Sequence, residues 1–106
     1  MREETIYKEA INLFGEEVQK DILIEEMVEL TKAIIKFRRK DNFDNLTNIL
    51  EELMDVKIMV GQLEVLYTDK RLDHIMGKVK EDKLNRSEDR INNRKIINSL
   101  EDNGIY

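Results

Sequence analysis

Two short acidic segments carry the residues best suited to chemistry: Glu25-Glu26-Met27-Val28-Glu29 and Glu51-Glu52-Leu53-Met54-Asp55. Each holds an acid pair three residues apart. At about 100° per residue, such a pair leaves nearly the same side of an α-helix one turn apart. Glu26 with Glu29, and Glu52 with Asp55, therefore form two pincers. Counting from Glu26, Leu23 and Leu30 lie roughly 40° to 60° away, and Val56 and Leu63 lie within about 40° of Glu52, so the acids sit at the edges of apolar stripes. Gathering carboxylates there is costly, because each anion loses hydration and repels the others. A hard dication offsets both penalties, and all-oxygen ligation selects Mg²⁺, Mn²⁺ or Ca²⁺ over zinc. A single pair would be unremarkable in a chain with 23 acidic residues. Two pairs at stripe edges of neighbouring helices are harder to dismiss as solvated surface.

The elements that hold these acids follow from the apolar period. Ile6, Tyr7, Ala10, Ile11 and Phe14 recur at three and four residues and predict a short helix over 4–14, closed by Gly15. Leu23, Met27, Leu30, Ile34 and Phe37 predict a second helix over 16–39, with Lys36, Arg38 and Arg39 at its negative end. The turn at 41–45 offers several capping side chains. A third helix is expected over 45–67, with Leu46, Ile49, Leu50, Leu53, Val56, Val60 and Leu63 as its core stripe. A fourth begins with Leu72, Ile75, Met76 and Val79 and becomes polar toward Ile91; the tail from about 92 is expected to be flexible or docked on a partner. The fold class is all-α: an antiparallel bundle of about four helices in a single domain over 1–106. Helices two and three carry more apolar residues than two flanking helices cover. A homodimer completing the bundle is expected, with a tetramer left open.

Composition narrows the function classes. With 41% hydrophobic and 39% charged residues the chain is too apolar for disorder. No proline and only four glycines favour long helices. The lack of cysteine removes disulfides, a thiolate nucleophile and Cys-bearing zinc sites, and suits a reducing cytoplasm. No apolar run resembles a signal peptide or a membrane span, so no membrane partner is expected. A net charge of −5 argues against a nucleic-acid polymer as partner, and any anionic substrate needs local cations or a metal.

The pattern Glu26-x-x-Glu29, 22 intervening residues, then Glu52-x-x-Asp55 resembles the signature of the MazG-like, all-α nucleoside triphosphate pyrophosphohydrolases. Phe14-Gly15-x-Glu17-x-Gln19, Glu25-Glu26-x-x-Glu29-Leu30, Glu51-Glu52-x-x-Asp55-Val56 and Lys83-Leu84-x-Arg86 carry the likeness across residues 5 to about 91. It implies an oligomeric helical bundle, usually a dimer, that hydrolyses a nucleoside triphosphate between its α and β phosphates. Mg²⁺, or Mn²⁺ in its place, would be held by Glu26, Glu29, Glu52 and Asp55. Glu25 is the neighbouring acid suited to support a ligand or act as base. Phe14 stands where many relatives carry Trp, and the chain is shorter than the two-domain members, which leaves base selection open.

Lys83, Arg86 and Arg90 recur at three and four residues, match the family's downstream basic motif and are candidates for the substrate's anionic end. Interleaved Glu81, Asp82, Glu88 and Asp89 equally suit a salt-bridged solvent face. Lys36 is a second basic candidate. Gln19 shares the face of Glu26 two turns earlier, placing it to read a base or sugar edge, or to make a core hydrogen bond. His74 lacks a metal-ligand companion at i, i+4 and is read as structural, as are Met27, Met54, Met59 and Met76. Two other readings compete with the general hydrolase: a narrow dUTPase-like enzyme, and a non-catalytic dimeric interaction module.

Overall fold

The computed structural model describes residues 2–67 and 70–105. The described residues form four α-helices and no strand: α1 (Arg2–Phe14), α2 (Glu16–Arg39), α3 (Phe43–Tyr67) and α4 (Lys70–Asp102). No helix among them is long and apolar enough to cross a membrane. The chain divides into two compact units, Met1–Thr68 and Asp69–Tyr106.

In the first unit, Gly15 separates α1 from α2 at φ +96°, a backbone conformation costly for residues with a Cβ. At the far end of α2, Lys36, Arg38 and Arg39 occupy the last turn, where cations suit the helix dipole. The following turn is set by Asn42, whose Oδ1 accepts the backbone N–H of Asn45 at 2.8 Å, the N-cap bond of α3. Asn45 then donates from Nδ2 to the Lys40 carbonyl at 2.9 Å. Because Asn42 caps the helix, α3 starts at Phe43, two residues earlier than the apolar period predicts.

Helices α2 and α3 make the main packing of this unit, and α1 lies against both. Their register is antiparallel: Gln19 meets Gln62, and Glu26 meets Asp55. Both pairs sum to 81, so one seam runs between the helices with layers every turn. Leu23, Ala33 and Met59 are its buried apolar residues, joined by three buried amides, Gln19, Asn45 and Gln62. The expected α3 core stripe is only partly covered: Leu46, Leu50, Leu53 and Val60 are exposed. Of the methionines read as core filler, Met59 is buried, whereas Met27, Met54 and Met76 are exposed. The physical reason is that α2 and α3 each carry a second apolar face. On α2, Ile24, Met27, Val28, Ile34 and Ile35 lie roughly 60° to 180° around from Gln19, outside the seam.

Helix α1 buries none of its residues. Its Tyr7 ring covers Gly61 of α3 so closely that a Cβ there would meet Cε2 at 2.6 Å. Alanine at 61 would gain about 1 kcal/mol of helix propensity and lose much of it to this overlap. Gly61→Val, with no such gain, is expected to lower stability by about 1–3 kcal/mol and to raise amide exchange first in α1, measured by hydrogen–deuterium exchange.

The second unit is one helix of 33 residues, about 50 Å long. The span from 92, expected to be flexible or partner-docked, is helical through Asp102. Gly104, at φ +71°, ends it, with its N–H bonded to the Glu101 carbonyl at 3.0 Å and that of Ile105 to the Leu100 carbonyl at 3.0 Å. Strong helix formers without a breaker between Lys78 and Asn103 carry the helix past the point where its apolar period fades.

Candidate functional site

Three of the four predicted ligands converge in the α2–α3 seam. Glu26, Glu52 and Asp55 each present a carboxylate oxygen, and these atoms lie within 4.8 Å of one another. Glu26 and Glu52 are half-buried and Asp55 is exposed, so the cluster opens to solvent on the Asp55 side. The seam explains the convergence: Glu26 is opposite Asp55, and Glu52, one turn before Asp55, points the same way. Burial, then the charges of Asp55 and Glu52, push the Glu26 carboxyl above the usual carboxylate range. Hydrogen bonds that only a protonated Glu26 can donate to Glu52 and Asp55 act in the same direction.

The fourth acid, Glu29, is opposite Glu52 by the same register but is not among the converging oxygens. It is exposed, and its Oε1 takes Lys32 Nζ at 3.4 Å. That bond is a weak competitor on an exposed helix surface. A rotation of the Glu29 side chain is the movement that would bring a fourth carboxylate toward the cluster. Glu25 is exposed on α2, about 100° around from Glu26.

The donor set suits a hard cation. Two oxygens on one Mg²⁺ are at most about 4.2 Å apart, and on one Ca²⁺ about 5 Å. Adjacent oxygens on Mg²⁺ are about 3.0 Å apart, so three oxygens within 4.8 Å of one another would have to draw together by up to roughly 2 Å to share one ion. No nitrogen or sulfur ligand enters the group, which matches the preference of Mg²⁺ and Mn²⁺ for carboxylates.

Gln19 is buried two turns before Glu26 and donates from Nε2 to Gln62 Oε1 at 2.7 Å. Of the two roles the sequence left open, the core hydrogen bond is therefore made. Gln62 did not emerge from the sequence reading, although it follows Asp55 by the seven residues that separate Gln19 from Glu26. Nearby, Lys20 bonds Glu16 at 2.8 Å and lies 5.0 Å from the Tyr67 ring, whose hydroxyl reaches Glu16 at 3.3 Å. The Glu16 and Tyr67 hydrogen bonds raise the proton affinity of Lys20, so it remains a fixed cation joining the ends of α2 and α3.

Lys36 is exposed in the last turn of α2. The other basic candidates belong to the second unit. Lys83, Arg86 and Arg90, together with Arg94, fall within about 40° of one line along α4, whereas Glu81 and Glu88 lie opposite. Among the described residues no ion pair ties these four cations to an acid. The other two interleaved acids, Asp82 and Asp89, flank this row at about 80° to 100°. His74 is exposed on α4.

Comparison with family models, with curated proteins and with solved structures yields no significant match to this chain.

Proposed function

We propose that this chain is a Mg²⁺-dependent nucleoside triphosphate pyrophosphohydrolase of MazG-like type. The observation that carries the reading is the convergence of Glu26, Glu52 and Asp55 at one level of the α2–α3 seam. Glu26, Glu52 and Asp55 would hold the dication, with Glu29 joining by side-chain rotation. When bound, the metal supplies charge neutralisation, polarises a phosphoryl group and acidifies a coordinated water. Lys83, Arg86 and Arg90 form an aligned row on α4 and are proposed as an anion-binding face of the second unit. In the reaction, water adds across the anhydride bond between the α and β phosphates. The nucleoside monophosphate and pyrophosphate separate, and the proton released passes to solvent or to exposed Glu25.

Phosphorus-31 NMR of the products from a panel of canonical and modified nucleoside triphosphates tests the reaction class. Monophosphate plus pyrophosphate is the expected outcome. Diphosphate plus orthophosphate would contradict it. Release from a single nucleotide, dUTP above all, would narrow the enzyme to a dUTPase-like specificity.

The second apolar faces of α2 and α3 support a homodimer as the working form. Ile24, Met27, Val28, Leu50, Leu53 and Met54 would otherwise stay in water, and a patch of this kind marks an interface. Sedimentation is expected to give twice the 12.6 kDa chain mass. Leu53→Glu is expected to return the mass to that of one chain, since a buried unpaired charge opposes association.

A further inference from the structure

Helix α4 carries a heptad pattern from end to end. The pairs Ile75-Met76, Asp82-Lys83, Asp89-Arg90 and Ile96-Ile97 follow one another at seven residues, and Leu72, Val79, Arg86, Asn93 and Leu100 recur between them at the same period. A straight helix lets such positions drift by about 20° per heptad, whereas a left-handed supercoil keeps them on one seam. None of the described residues of α4 is buried, and Ile75, Met76, Val79 and Ile96 are 44% to 59% exposed. Ile75, Met76, Val79 and Lys83 line one open groove on this face. A helix draws most of its stability from packing such a face, and the second unit holds no second helix to cover it.

The charges on the seam specify what covers it. The single positions mark its line; the first member of each pair lies about 50° to one side and the second about 50° to the other. Asp82 and Asp89 therefore share one flank, and Lys83 and Arg90 share the opposite one. Two copies of α4 lying parallel, related by a two-fold axis along their length, bring the acid flank of each against the cation flank of the other. Asp82 then meets Lys83 of the second copy, Asp89 meets Arg90, and each contact is made twice. Antiparallel pairing sets acid against acid and cation against cation, so the charges select the parallel orientation. The apolar pairs close both ends, and Asn93 on the line of the seam suits its own copy at the same level. Arg86 also meets its own copy, the one like-charge layer of the pairing, and is the cation left for the anion proposed for this face.

We propose that α4 is a self-recognition helix through which two chains associate as a parallel, in-register pair, oriented by the contacts of Asp82 with Lys83 and of Asp89 with Arg90 between copies. A second copy is the occupant because the acids and cations that satisfy the seam are those the chain itself carries, in the order and spacing required. This interface is separate from the apolar faces of α2 and α3 and does not rest on the nucleotide reading. Its two central heptads are polar, so it forms at higher chain concentration than the α2–α3 association.

Cysteine cross-linking of the whole chain tests the pairing, since the chain has no cysteine of its own. Val79→Cys and Leu100→Cys, about 32 Å apart on α4, are each expected to form disulfide-linked homodimers at least about tenfold faster than the outward-facing Glu88→Cys. A mixture of the two variants is expected to give no product joining position 79 to position 100. Such a mixed product, or rates no higher than that of Glu88→Cys, would overturn the proposal. In sedimentation equilibrium, Leu53→Glu is expected to rise from one chain mass toward two as its concentration increases. Adding Asp89→Lys is expected to weaken this association by about tenfold or more. Adding Arg90→Asp to that variant is expected to restore it, because adjacent residues on one helix do not face each other and only pairing between copies regains opposite charges. Absence of rescue, or a single-chain mass at every concentration, would also overturn it. A Leu53→Glu mass equal to that of the wild type at every concentration would count against the α2–α3 dimer alone, and the cross-links on α4 would still decide this proposal.

Discussion

Glu26→Gln is expected to reduce pyrophosphate release by at least about 10²-fold while leaving the metal-free protein as stable as the wild type or more so. The two effects have one origin. Burial and the charges of Asp55 and Glu52 all oppose the ionisation of Glu26. Replacing its carboxyl with an amide keeps the shape, removes that repulsion and removes an anionic ligand. A residue that served only folding would show the opposite pattern, with stability lost and residual activity following the folded fraction. Asp55→Asn is expected to give the same loss of rate, with a smaller gain in stability because Asp55 is exposed. Steady-state kinetics and thermal melts on the same samples separate these outcomes, and full activity in either variant would remove that residue from the ligand set.

The second large effect is a reversal of pH dependence by Mg²⁺. In the metal-free fold, Glu26 keeps its proton to higher pH than the ordinary carboxyl value of 4.5. Between those two values the folded chain binds more protons than the unfolded chain, so this group's contribution to stability falls as the pH rises through the window. A bound dication takes over the proton's role. The rise in melting temperature caused by Mg²⁺ should therefore grow as the pH climbs above the ordinary carboxyl value of 4.5 and through the Glu26 window. At a hundredfold excess over the dissociation constant the gain is about 2.7 kcal/mol, on the order of 10 °C for a unit of this size. Glu26→Gln should lose most of that rise and flatten its pH dependence. A Mg²⁺ effect independent of pH, or equal in the variant, would place cation binding elsewhere.

Much of this architecture is legible in the residues. The absence of proline and the spacing of three and four residues give all four helices, and α2 matches its expected span from 16 to 39. The start of α3 is displaced because capping is decided by one side-chain hydrogen bond, that of Asn42, among several residues with similar capacity. The acids are legible as a group because i, i+3 spacing and stripe-edge position depend only on helix geometry. The orientation of Glu29 is not, since a rotamer and a Lys32 contact at the surface decide it. Gln62 was missed because a single amide in an apolar stripe reads as an interruption of the core. Its signal lay in pairing: seven residues along each helix of an antiparallel seam return to nearly the same face, which sets position 62 opposite Gln19 once Glu26 is set opposite Asp55. The exposed Met27, Met54 and Leu53 show the limit of periodicity, which identifies apolar faces without naming the neighbour that covers each.

The most direct measurement is pyrophosphate release from the triphosphate panel with Mg²⁺ and with chelator, using Glu52→Gln as the comparison protein. Glu52 sits in the cluster, one turn from Asp55, and is half-buried, so its amide variant alters the proposed metal site with little change to the surface. The account predicts release that requires both Mg²⁺ and Glu52. Release that persists in chelator, or in Glu52→Gln at the wild-type rate, would contradict it.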